Sequence, residues 1–448
     1  MKKFMVICAP ITSRSGYGDH ARDLFHSFHE TGKFDIKIWD VPWGDCPRNA
    51  LDNGSDKNKL ISSCILNTSN IDRQPDVYVD IRIPNEFQQI GKFNIGITAG
   101  IETNAVSQAW LDGCNKMDLI IVPSQHSKNG FVNTVYDKIN NLPNGQQQKI
   151  GELKLEKPIE VLFEGADTDV FKRLKKDEFK SEISKTISDE IPEDFLYLHI
   201  GQWTKGSFGE DRKDIGKLIK VFIESFANKK NKPGLLLKTN GASFSVMDKN
   251  ECLLKINQIK EMFPKDWDLP NIYLLHGSLS QEEINEIYNH EKTKVFISLT
   301  HGEGFGRPLL EATMTGLPII TSNWSGHVDF LDDEKCLLLS GKLQQVPKSM
   351  VWKDIIIEES KWFVADESEV YKTLNYSFVE YDKLKAKADE LFKVNVNKFT
   401  LSKMTEKLDD IITPHIDKVP TQVGLKLPKL KKIDNEKPKI KLPKLKKV

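Results

Sequence analysis

The stretch "HGEGFGRPLLEATMTGLPIITSNWSGHVDFL", His301 to Leu331, places three glycines around one glutamate, Glu303, and sets a second, Glu311, after seven intervening residues. It follows the apolar run "KVFISLT", which reads as a buried strand, and Pro308 suits the first turn of a helix ended by Gly316. Gly302, Gly304 and Gly306 let a backbone come close to a ligand at the strand's carboxyl end. On that helix Glu311 shares a face with Arg307, one turn earlier. A carboxylate on the loop and another on the helix can each accept paired hydroxyl hydrogens, which suits a polyol such as a sugar or ribose. Either glutamate alone would read as a helix-end carboxylate or a surface ion pair.

Outward from this stretch, "FLYLHIGQ", "GLLLKTNG", "IYLLHGSL" and "LPIITSN" are further strands, each followed by helical pattern or a glycine-containing loop. An earlier set, "FMVICA", "DIKIWDV", "DVYVDIRI", "NIGITA" and "LIIVPS", alternates with amphipathic segments such as "HARDLFHSFHETG" and "SQAWLDGCNKM". Alternation of this kind predicts a largely parallel sheet covered on both faces. Its repetition over 448 residues predicts two doubly wound α/β domains facing across a cleft. The boundaries fall at 1–168 for an amino-terminal, acceptor-side domain and 169–367 for a second, nucleotide-side domain. Helices over 368–412 then return toward the first domain, and 413–448 form a basic Lys/Pro/Leu tail.

That tail is set apart by charge. From Lys426 to Val448 ten lysines oppose Asp434 and Glu436, a balance of +8 in a chain of net charge zero, so the rest carries −8. "KLPKLKK" occurs at Lys426–Lys432 and again at Lys441–Lys447, with prolines that block a continuous helix. The six cysteines are scattered without a CxxC pair or a Cys/His cluster, so neither a disulfide framework nor a zinc site is indicated, and cytoplasm is the expected location. The amino-terminal apolar run is far too short to span a membrane and reads as a first strand.

Taken together, "EGFGRPLLE" and "TGLPIITSNWSGHVDFL" resemble the glutamate-x7-glutamate motif of retaining glycosyltransferases with the GT-B fold, family 4 in particular. "GADTDVF" is similar to that family's interdomain segment, "GQWTKGSFGEDRKDIGKLIKVFIESF" to its phosphate loop and helix, and "LLLKT" to its next strand. In the amino half "RSGYGDHARDL", "IPNEF", "GIETNAVSQAW" and "MDLIIVPSQHSKNGF" resemble members encoded by large bacteriophages, for which the location would be the host cytoplasm. The resemblance implies a nucleotide-sugar co-substrate and neither cofactor nor metal. It implies that Glu303 binds donor-sugar hydroxyls, that backbone N–H groups of Gly304, Phe305, Gly306 and Arg307 lie near sugar and phosphate, and that Glu311 holds the ribose. Lys213 matches the lysine of the diphosphate clamp. Gln202 stands where the clamp's arginine is usual, leaving Arg212 or Arg307 to supply it. The amino-domain histidine is also replaced: "TAGIETN" offers Glu102.

Two other patterns compete. "GYGDHA", Gly16 to Ala21, fits a dinucleotide fingerprint with Asp40 at a ribose-gripping distance, but "APITSRS" separates it from its strand. The better reading is a loop facing the cleft, with Gly16 and Gly18 toward the donor and Tyr17 toward sugar or acceptor. "DTD" at Asp167–Asp169 mimics a metal-binding aspartate motif but sits in the linker pattern. The tail bears on the acceptor: lysines can neutralise DNA phosphates, which favours a hydroxylated base in phage DNA, or hold an anionic membrane surface, which favours a lipid-linked or surface glycan. A non-catalytic nucleotide- or sugar-binding protein is a third class, and the oligomeric state stays open.

Overall fold

The computed structural model describes residues 2–420 apart from 69–70, 143–145, 205, 207 and 242. The lysine-rich repeat therefore lies outside the described residues. Two six-stranded sheets, every pairing parallel, carry the fold. The first runs Phe34–Asp40, Lys3–Ala9, Val77–Ile81, Phe93–Ile97, Leu119–Val122, Ile159–Val161 across its width. The second runs Ile272–Leu275, Gly234–Asn240, Leu196–Gln202, Thr293–Ser298, Ile319–Ser322, Leu337–Leu339. The apolar runs became central strands because both their faces are covered: Met5 to Ile7, Val77 to Val79 and Leu235 are buried among helices.

In the second sheet the chain order reverses between Leu196–Gln202 and Thr293–Ser298, which pair directly. Loops leaving the carboxyl ends of two such strands part to opposite faces and open a crevice, the usual ligand position in doubly wound sheets. The loop after the first contains Arg212 and Lys213; the loop after the second contains Glu303.

The expected helical region after 367 is three helices, Glu367–Val379, Tyr381–Lys398 and Leu401–Ile416. Only the last crosses back. Its Met404, Leu408, Ile412 and Ile416, four residues apart, join the core of the amino-terminal domain, whereas Val370, Leu374 and Leu391 pack within the second domain. The stripe continues to Ile416, so this helix outruns the expected end at Ile412. Where it begins, Ala166 accepts from the Leu401 amide at 3.0 Å and donates to Phe399 O at 2.9 Å, so linker and returning helix are joined.

Polar elements escaped the sequence reading. The hairpin Tyr136–Asn141/Gln147–Leu153 and the pair Gly341–Gln345/Lys361–Ala365 are antiparallel. Gln147 to Ile150 and Gly341 to Gln345 are exposed, so no apolar alternation marks them. Among the described residues no helix is long and apolar enough to cross a membrane.

Candidate active site at the switch point

Glu303 is the centre of the crevice. It is 7% exposed and forms an ion pair with Lys213 Nζ and another, at 3.1 Å, with Arg212 Nη1. Its amide donates to Ser325 Oγ at 2.9 Å, which fixes the loop from the far side. Burial alone would raise this carboxyl; the charges of Lys213 and then Arg212 outweigh it and hold Glu303 well below the usual carboxylate range. It is ionised, with two cations against one side. Arg212 also lies 3.7 Å from Glu102 and donates to Gly302 O at 3.1 Å. Of the two arginines considered for the clamp, Arg212 is the one that shares a carboxylate with Lys213. Gln202, at the position of the usual arginine, instead donates to Gly241 O at 2.7 Å.

Arg307 is committed elsewhere. Its guanidinium is 2.6 Å from Asp23, 3.6 Å from Glu164 and 3.7 Å from Glu311, so carboxylates of both domains surround one cation. Burial pushes Glu164 and Glu311 each up to about 7 despite Arg307, and Asp23 is raised for the same reason. Tyr288 donates to Glu311 at 3.4 Å. The helix Arg307–Thr313 thus puts Arg307 and Glu311 on one face, turned toward the amino-terminal domain. The Phe305 ring is 2% exposed and packs on Phe330, which leaves the backbone of this residue as the part that can face a donor.

The domains meet at this loop. A side chain at Gly304 would place its Cβ 1.9 Å from Ala99 O, and one at Gly100 would come within 3.0 Å of Gly304 Cα, so glycine at both positions permits backbone-to-backbone contact across the cleft. Ser124, which caps the helix Gln125–Asn133, donates to Gly304 O at 2.6 Å. Tyr17 is one step away: its hydroxyl bonds Thr98 at 2.8 Å and accepts from the Ala99 amide at 3.1 Å, while its ring stacks on Trp43. Gly18 fits where a Cβ would stand 2.2 Å from Ser13 O; Gly16, at the start of the same helix, faces open space. Asp40 is taken by Thr12 and Arg48, so it braces the loop before Gly16 and offers no free carboxylate for a ribose.

Sequence reading missed Asp23, Glu164 and Ser325. Asp23 is one polar residue on a helix full of them, and Glu164 is a single acid between the last strand and the linker, so neither carries a local signal. Only folding brings them to Arg307. His327 donates to Ser322 O at 2.7 Å and holds the chain after the motif, and Trp110 and Trp203 are core residues at 3% and 5% exposure. Among the described residues no group of three His, Cys, Asp or Glu side chains is placed to hold a metal ion.

With this geometry in view, residues 215–357 match the family model described as "Glycosyl transferases group 1", a span that includes Glu303 and Glu311 and starts just after Lys213. Curated proteins give no match to the sequence. Among solved structures, HepE from Anabaena, in complex with UDP and glucose, superposes with TM-score 0.59 at 12% identity, covering 92% of this chain and 99% of that one. A glycosyltransferase from Rickettsia africae gives 0.60 at 14%, covering 94% and 100%. Sucrose-phosphate synthase from Thermosynechococcus elongatus gives 0.59 at 10%, covering 92% and 99%. Identities this low establish the shared fold, two Rossmann-like domains of the GT-B type, and the family match over residues 215–357 gives the second of them as a group 1 glycosyltransferase domain.

Proposed function

We propose that the protein transfers a sugar from a nucleoside diphosphate sugar to an acceptor hydroxyl with retention of anomeric configuration and without a metal. The observation that carries this is the convergence of Lys213 and Arg212 on Glu303 at the switch point. As the bond between the anomeric carbon and the diphosphate oxygen breaks, the electron pair stays on that oxygen, and Lys213 and Arg212 are fixed cations within reach of the growing charge. Glu303, kept ionised by the same pair, has lone pairs left for sugar hydroxyls. The leaving phosphate oxygen takes the acceptor's proton, and the acceptor oxygen bonds the anomeric carbon from the same face. Such a step asks little of a protein acid or base, which is compatible with Glu102 standing where the family's histidine is usual.

Glu311 is assigned to the donor's ribose. HepE and its complexes with UDP and UDP-glucose make uridine diphosphate the first nucleotide to test. Calorimetry separates the roles: Glu303→Ala should abolish transfer while leaving UDP affinity within about threefold, and Glu311→Ala should weaken UDP itself. Equal losses of nucleotide affinity would remove the division. For the acceptor, the tail of ten lysines supports a hydroxylated base in DNA, with a surface or lipid-linked glycan as the alternative.

A further inference from the structure

A groove of about 590 Å³ opens between the domains on the flank of the Glu303 loop. Asn104, His126, Asn129 and Asn133 line it from the amino-terminal domain, and Trp324 and Glu359 from the second. Trp324 is the wall shared with the crevice. Its ring lies 3.0 Å from where a Cβ on Gly302 would stand, the residue just before Glu303, and His126 meets its face edge-on at 4.5 Å.

The polar groups here are set in place but not used up. Asn104 is anchored across the domains: its Oδ1 accepts from the Lys361 amide at 2.7 Å, which leaves its NH2 for a ligand. Asn129 is held the same way by Gln125 Nε2 at 2.8 Å. His126 Nε2 is buried with no hydrogen-bond partner among the described residues, and burial lowers this imidazole to about 4, so it is neutral. Among the described residues Asn133 and Glu359 have side chains that make no hydrogen bond within the chain. Amide donors opposite a carboxylate acceptor, beside an indole face, match the alternating hydroxyl edge and C–H face of a sugar ring. Among the described residues no lysine or arginine lines the groove, and Glu359 adds a negative charge, so a phosphodiester would meet no compensating cation among them.

We infer that this groove between Asn104, Asn129, Asn133, Trp324 and Glu359 binds the acceptor, and that the acceptor is a neutral oligosaccharide. The inference rests on the nucleotide-sugar reading of the adjacent crevice. It gives the molecule one continuous path, donor sugar at Glu303 and acceptor sugar beyond Trp324, with both domains contributing to each.

The test takes the full-length protein, a set of nucleoside diphosphate sugars, an array of neutral oligosaccharides and a hydroxymethylated DNA duplex. Donor binding and slow donor hydrolysis by the wild type, measured without acceptor, read the crevice alone. Transfer to at least one neutral oligosaccharide is expected, and Asn133→Ala and Glu359→Gln, both at exposed positions, should each raise the KM for it about tenfold with kcat within threefold. If no donor is bound or hydrolysed, the nucleotide-sugar reading itself has failed and the groove assignment falls with it. If donor is hydrolysed but only the duplex is glycosylated, or no oligosaccharide is, or the two variants keep the wild-type KM, the donor reading survives and the groove assignment is overturned.

Discussion

Glu303 and Glu311 are the same residue type one motif apart, yet their surroundings are electrostatic opposites. Glu303 is one carboxylate between two cations; Glu311 is one of three carboxylates around Arg307. Both are largely withdrawn from solvent, Glu311 with 13% of its side chain exposed, so burial alone cannot explain why the first is held ionised and the second is pushed up to about 7. The ratio of cations to acids decides it. The first site is built to keep a charge, and the second can take up a proton or accept a bond from a ligand hydroxyl.

The hardest blow to this contrast is removal of the single cation of the acidic group. Arg307→Met leaves the buried Glu164 and the partly buried Asp23 and Glu311 without their shared cation, and the loss of stability should be about 3–5 kcal/mol. Urea denaturation at pH 7.5 measures it. A loss below about 1 kcal/mol would mean that the three acids do not depend on Arg307.

Removing one of two cations from the other group should act on chemistry first. Lys213→Ala should reduce turnover about 10²–10³-fold, the range seen when one fixed donor to developing charge is lost, and should affect nucleoside binding far less. Steady-state kinetics beside calorimetry with uridine gives both numbers. Unchanged turnover would hand the clamp to Arg212 alone.

The mildest probe is pH, because the two groups titrate with opposite sign. Glu164 and Glu311 hold protons up to about 7 in the folded protein but release them near 4.5 when unfolded. The folded state therefore binds more protons in that window. Their contribution is full below pH 4.5 and is lost as pH rises to 7, at roughly 1.4 kcal/mol per unit for each group titrating alone. Glu303 contributes the reverse: its stabilisation is present above pH 4.5 and disappears as pH falls through its depressed value. Denaturation midpoints of Glu311→Gln should fall less steeply than wild type between pH 5 and 7. Parallel curves would show that Glu311 does not change its proton on unfolding.

Much of this was legible in the chain itself. Apolar runs such as "FLYLHIGQ" and "KVFISLT" fix buried parallel strands because hydrophobic pattern and length are local properties, and the glycines around Glu303 declare a close backbone approach before any fold is known. The i, i+4 spacing likewise put Arg307 and Glu311 on one face. What the sequence by itself could not determine is partnership across distance. Nothing near Arg307 in the sequence distinguishes it from Arg212; their surroundings part when the helix Gly16–Glu30 brings Asp23, and the segment after Ile159–Val161 brings Glu164, against Arg307 and leaves Arg212 beside Lys213. The groove beyond Trp324 is of the same kind, since Asn104 and Glu359 become neighbours only when the domains meet. Local patterns are written in residue order because backbone geometry repeats at fixed spacing, whereas electrostatic environments depend on which distant charges share one low-dielectric space, and only the tertiary structure decides that.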